Sequence, residues 1–344
     1  MGHRPAESKK FFYGGICLLI AELGLVLLRV LVALIPDGVP EIVSDLIFSG
    51  VLNLGVMCAV PLLLFLYVER PAGASVKTFA AEIGLGKPDR AGIIAAVVLG
   101  IPFYVMTLGI SAIFILIFLL FGYFPSSVPP IDPGVGAFLL AILLTAVLPG
   151  IFEEILYRGV IRRALNVFKS DTGVILFTAL CFGLGHQYIR QTGYTFVGGL
   201  VFAYLAVKTR SIWPSVIVHF INNGLSVYLE AAEVNGWPGG QIFNSVENLF
   251  AFIGIGILAT GVVVFILYFL TAYYKNKERE KAEPTYIRQY DPVTGAQKPD
   301  LLVYGAPRAR SREYRASAFE KTVWTAAVIL AALNTAATFF WAVI

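Results

Sequence analysis

The residues of this chain best suited to chemistry are polar groups set inside apolar stretches. Glu153 and Glu154 stand side by side in Pro149-Gly150-Ile151-Phe152-Glu153-Glu154-Ile155-Leu156-Tyr157-Arg158. An ionised carboxylate at bilayer depth costs about 2.5–3.5 kcal/mol on insertion scales, so a glutamate kept there is by default a functional group. On a helix, Glu154 and Arg158 share a face at i, i+4, with the acid on the favourable N-terminal side. Glu153 points about 100° away. Spacing therefore divides the two acids into a structural partner for arginine and a group free for chemistry. The bland reading is that both acids cap a membrane boundary beside the basic Arg162, Arg163 and Lys169.

Two further apolar runs carry the remaining candidates. Phe182-Gly183-Leu184-Gly185-His186 puts Phe182 and His186 on one helix face, with glycines that allow a neighbouring helix to come close. In His219-Phe220-Ile221-Asn222-Asn223 the same spacing joins His219 to Asn223. Singly, each histidine reads as a packing residue. Together they are the two histidines outside the polar start that holds His3, and polar groups within a membrane normally face the bundle interior. The set suits hydrolysis of an amide by water. A glutamate among apolar helices holds a proton more tightly than one in water, as a general base requires, and His186 can share that task. His219 and the Asn223 amide are donors for an oxyanion. The alternative is a zinc ion held by Glu153, His186 and His219, although the residues lack the local HExxH pattern.

The elements that must position these groups are membrane helices. Hydrophobic residues make up 58% of the 344 and charged residues only 14%, against about 25% charged in a soluble domain. Runs of about 20 apolar residues recur, each long enough to cross a bilayer. The expected fold is all-α, a polytopic bundle of about nine spans. They run over about 11–36, 46–68, 91–124, 134–158, 172–190, 194–207, 212–230, 249–274 and 323–344. Residues 1–274 form the helical domain, with the candidate core at 134–230. Residues 275–320 form a polar cytoplasmic segment with room for a small hairpin around Asp291-Pro292-Val293-Thr294-Gly295, and 321–344 form a last helix. Phe11 onward reads as a retained span rather than a signal peptide. Lysine and arginine fall on alternate loops, with Arg190 after the fifth span the exception, which predicts a cytoplasmic N-terminus and an outside C-terminus; the expected location is the plasma membrane. Cys17, Cys58 and Cys181 lie in apolar runs without metal or disulfide spacing.

The ordered set Glu153-Glu154-xxx-Arg158, Phe182-xxx-His186 and His219-xxx-Asn223 resembles the three motifs of the CAAX prenyl protease type 2 and bacteriocin-processing (CPBP or Abi) family of intramembrane proteases. The resemblance covers about residues 134–230. It implies a glutamate-dependent endopeptidase with no metal or other cofactor, in which Glu153 and His186 activate water and His219 and Asn223 form the oxyanion site. Glu154, Arg158 and Phe182 are then structural support. It also implies membrane lipid and a membrane-bound peptide or protein, prenylated or not, as partners, and no nucleic acid. The sequence sets no oligomeric state. Two other classes stay open: a non-catalytic chaperone or bacteriocin-immunity protein of the same fold, and a proton-coupled transporter using Glu22, Arg29 and the pair Glu153 and Glu154. The transporter reading lacks repeat or broken-helix signatures. One geometric tension also arises, because His186 falls deep in its run whereas Glu153 falls near the end of its own. A helix continuing through Gly159–Phe168 would relieve it.

Overall fold

The computed structural model describes residues 6–36, 38–39, 41–122, 133–168, 170–240, 246–281, 284–290, 294–295, 297–304 and 316–343. The proline-rich link at 125–132, most of the Asp291–Gly295 turn and the start that holds Arg4 lie outside them. The chain is a helical membrane protein with one two-stranded hairpin. α1 (Ala6–Ala33) leads to α2 (Glu41–Gly50), which passes through a π-helical stretch, Val51–Ala59, into α3 (Val60–Val68). α4 (Val76–Ile83) is a short helix opened by a reciprocal Ser75–Thr78 capping box, and it buries Phe79 and Ile83. α5 (Arg90–Leu120) begins at an Asp89 N-cap and runs on through Pro102.

The next helical run, Val135–Leu165, is interrupted by two π segments. α6 (Val135–Ala141) gives way to a π segment, Ile142–Val147. α7 (Leu148–Glu154) gives way to a second, Ile155–Ile161, and α8 (Arg162–Leu165) ends the run. Then come α9 (Asp171–Gly185), α10 (Ile189–Thr209), α11 (Trp213–Asn235) and α12 (Val246–Lys281). β1 (Pro284–Tyr290) and β2 (Gln297–Tyr304) pair antiparallel, and α13 (Ala318–Val343) follows.

Five helical runs are long and apolar enough to cross a membrane among the described residues: Lys9–Ala33, Ile42–Val68, Arg90–Leu120, Val135–Leu165 and Asn248–Glu280. Their outward faces carry bare apolar side chains such as Leu63, Ile101 and Leu258, which suits contact with lipid. Of the candidate groups, Glu153 and Glu154 lie on one of these long runs, whereas His186 caps the shorter helix α9 and His219 lies on the more polar α11. α13 closes back on α1, where Trp324 stacks on Phe11 at 5.2 Å and donates its indole N–H to the Phe11 carbonyl at 3.0 Å.

The depth tension resolves through the long fourth run. Helix continues twelve residues past Glu153 to Leu165, about 18 Å at 1.5 Å per residue. The chain then turns and climbs α9 from Asp171 to reach His186 after about 22 Å. The two residues therefore arrive at similar height on adjacent antiparallel helices.

α12 packs along α5, and at their closest point glycine meets glycine. A Cβ on Gly109 would lie 2.7 Å from the Gly256 Cα and 2.8 Å from the Phe252 carbonyl oxygen, both backbone atoms that cannot rotate away. Gly109→Val is expected to destabilise the purified protein by about 1–3 kcal/mol, the usual range for overpacking. Thermal unfolding in detergent should show a lower Tm, while Gly254→Ala, with nothing within 4 Å of its added methyl, leaves Tm unchanged.

Candidate active site

Glu153 and Glu154 end α7, just before the second π segment. Glu154 and Arg158 have no exposed side-chain surface, and Arg158 Nη1 donates to Glu154 Oε1 at 2.8 Å. The guanidinium lies over the Phe182 ring at 4.0 Å and faces Phe202 at 5.0 Å. Its Nη2 donates to the Gly199 carbonyl at 3.4 Å. A planar, weakly hydrated cation between aromatic faces suits such a site better than an ammonium would. Phe182 is thus a platform for the ion pair.

His219 reaches this pair from α11. Its Nδ1 is 3.0 Å from Glu154 Oε1 and its Nε2 is 3.9 Å from Glu153 Oε2. An ionised carboxylate only accepts, so Nδ1 donates to Glu154. The ring stacks on Phe202 at 5.0 Å and meets Phe182 edge-on at 5.8 Å. Glu153 lies on the open side of this cluster. Its Oε2 is buried and has no hydrogen-bond partner among the described residues, whereas buried oxygens normally have one.

His186 stands at the C-cap of α9, with Nδ1 2.9 Å from the Phe182 carbonyl. A carbonyl oxygen cannot donate, so Nδ1 carries the proton and Nε2 is left as an acceptor. The ring packs edge-on against Phe182 at 4.9 Å, and Glu153 is within electrostatic reach of it. The sequence places His186 inside a helix running to Arg190; the structure ends that helix at Gly185, because Gln187 takes a left-handed φ of 49°.

Asn223 sits one turn beyond His219 on α11, about 6 Å along the axis. Its Nδ2 donates to the Thr145 carbonyl at 2.9 Å, in the first π segment. Its Oδ1 accepts from Asn222 Nδ2 at 3.1 Å, and Asn222 Oδ1 accepts from Thr107 Oγ1 at 2.9 Å. That relay ties up the Asn223 oxygen and turns its amide nitrogen outward, with a second N–H to spare.

The tertiary structure therefore gathers Glu153, Glu154, Arg158, Phe182, His186 and His219 around one aromatic centre, with Asn223 a turn away. Among the described residues no group of three or more His, Cys, Asp or Glu side chains is arranged to hold a metal ion. Spacing alone missed Phe202, Asn222, Thr107 and Thr145. None carries a charge, and each acts through a contact between helices distant in sequence.

Comparison with known proteins adds an independent line. Residues 135–225 match the family model described as type II CAAX prenyl endopeptidase Rce1-like, and every candidate site residue named above falls within them apart from Thr107. The chain is 26% identical over 98 residues to the protein named "Putative membrane peptidase YdiL" of Bacillus subtilis, covering 28% of this chain and 40% of that one. It is 28% identical over 152 residues to protein translocase subunit SecY of Pseudomonas aeruginosa, covering 40% of this chain and 34% of that one. The chain thus spans two-fifths or less of the length of these relatives. No solved structure matches.

The ion pair makes a sharp prediction. Arg158→Ala leaves Glu154 buried without its cation and is expected to cost about 3–5 kcal/mol of stability. Replacing Glu154 and Arg158 together by Leu and Met should cost less than Arg158→Ala alone. Denaturant titration of the purified protein in detergent checks the order of the two variants.

Proposed function

We propose that this chain, Rce1-like over residues 135–225, is an intramembrane endopeptidase that hydrolyses a peptide bond of a membrane-associated substrate. The observation that carries this reading is the buried, unpartnered Glu153 Oε2 beside His219 Nε2 at 3.9 Å. A carboxylate oxygen shielded from bulk water and lacking a partner is where a reacting water is best held and deprotonated. Glu153 takes one proton as the water oxygen attacks the scissile carbonyl carbon. His186, with Nε2 free to accept, holds the same water on its other side.

The attack places negative charge on the carbonyl oxygen. Asn223 Nδ2, oriented outward by the Thr107–Asn222 relay, and His219 Nε2 are the donors for it. With Nδ1 already donating to Glu154, Nε2 donates only in the doubly protonated ring. Glu153, Glu154, Arg158 and an imidazolium then sum to no net charge in the buried cluster. Collapse of the intermediate breaks the C–N bond, and Glu153 returns its proton to the leaving nitrogen. Glu154 and Arg158 touch no reacting atom; they hold His219 and the helix.

The substrate class follows from the surroundings and the likeness to CAAX endopeptidases: a peptide presented from the bilayer, with a prenylated C-terminal segment as first candidate. The basic loops favour a cytoplasmic N-terminus and an outside C-terminus, and the plasma membrane is the proposed location. No metal is invoked.

The test uses the full-length protein in liposomes with a prenylated peptide and its unprenylated, acyl-anchored counterpart. Glu153→Gln should lower kcat about 100-fold or more with the protein still folded. Asn223→Ala should lower it about 100- to 1,000-fold, as loss of an oxyanion donor does. Undiminished turnover by Glu153→Gln would overturn the reading, and equal cleavage of both peptides would remove the prenyl group from it.

A further inference from the structure

His186 stands where regular helix has stopped holding it. Beyond Gly185 the backbone turns through Gln187, one of two non-glycine residues with positive φ among the described residues. For a residue with a side chain that conformation is unfavourable, and it persists only where the surroundings enforce it. The enforcement comes from α1. The Gln187 side chain is fully buried, and its Nε2 donates to Glu22 Oε2 at 2.6 Å and to the Glu22 carbonyl at 3.1 Å. Two turns further along α1, Arg29 donates Nη2 to the His186 carbonyl at 3.0 Å and Nη1 to the Gln187 carbonyl at 3.3 Å. Carbonyls at the end of a helix have no partner within it, and here a guanidinium fork supplies one.

Tyr157, from the helix of Glu153, reaches the same place: a Cβ on Gly185 would fall 2.0 Å from the Tyr157 hydroxyl and 3.4 Å from Glu22 Oε1, so both side chains crowd this glycine at the end of α9. Tyr157 lies one turn after Glu153. The turn bearing His186 is thereby registered against both α1 and the Glu153 helix. Glu22 is itself only 2% exposed, and an acid buried on a membrane helix calls for a purpose.

We propose that Glu22, Arg29 and Gln187 are positioning residues for His186: they lock the 186–187 turn so that Nε2 is presented at a fixed place relative to Glu153. The proposal rests on the role given to His186 above. It places part of the working site on α1, outside residues 135–225.

The experiment uses full-length protein with ring-15N histidine, which carries three histidines, His3, His186 and His219. His186→Ala assigns the signal. Arg29→Ala, at an exposed side chain, and Glu22→Ala should each shift or broaden the His186 resonances while those of His219 stay in place. Both should lower kcat about 10- to 100-fold with KM within about twofold, the signature of a misplaced group rather than lost binding. Glu22→Gln keeps an oxygen for the Gln187 amide and should restore the His186 signal. Unchanged His186 resonances and kcat in folded Arg29→Ala overturn the proposal even if Glu22→Ala fails to fold. Equal movement of both histidine signals also overturns it, since that reports general loosening. If the clamp variants shift His186 while Glu153→Gln still cleaves, the clamp stands and the Glu153-dependent mechanism fails.

Discussion

The contact between Glu154 and Arg158 is the constraint on which the remaining geometry depends. Burying two charges at the centre of a membrane bundle adds little net stability, because desolvation roughly cancels attraction. Its effect is directional. The pair has to be sealed from lipid and water, and Phe182, Phe202 and the Gly199 carbonyl from α9 and α10 do the sealing. Once Glu154 is turned inward to Arg158 and His219, its neighbour Glu153 has one direction left, towards the gap where His186 and His219 come nearest. One ion pair therefore fixes the rotation of a helix and the exposure of the next carboxylate.

Changes of helical pitch make that arrangement possible. The run Val135–Leu165 is π-helical on both sides of α7, and carbonyls in those segments accept side-chain donors. Thr145 receives Asn223, Leu144 receives Ser49 at 3.2 Å, and Arg158 receives Arg162 at 2.7 Å. π segments recur at functional sites for this reason: they free or re-aim backbone groups without ending the helix. The site is thus built partly of backbone, in a helix that reads as ordinary by composition.

Legibility followed the length scale of each interaction. The i, i+4 pairing of Glu154 with Arg158 and the separate direction of Glu153 were readable, because helix geometry relates residues a turn apart whatever surrounds them. The membrane class was readable because hydrocarbon accepts few side chains. The pairing of Phe182 with His186 was half readable: their rings do touch, but His186 lies past the helix end. Glu22 and Arg29 stood out as charges on α1 and entered a transporter reading, since nothing local indicates that they grip the turn after α9.

By itself, then, the sequence determined a helical membrane chain, the order of its polar motifs and the different directions in which the adjacent acids point. These depend on composition and on the fixed pitch of an α-helix. Tertiary structure alone decided that His219 donates to Glu154, that Phe202 walls the cluster, that Thr107 and Asn222 orient Asn223, and that α1 reaches across to the His186 turn. Each of those contacts joins segments tens to well over a hundred residues apart. Their geometry depends on how whole helices are rotated, shifted and bent against one another, and π segments and a single left-handed residue change those rotations without an evident mark in the local sequence.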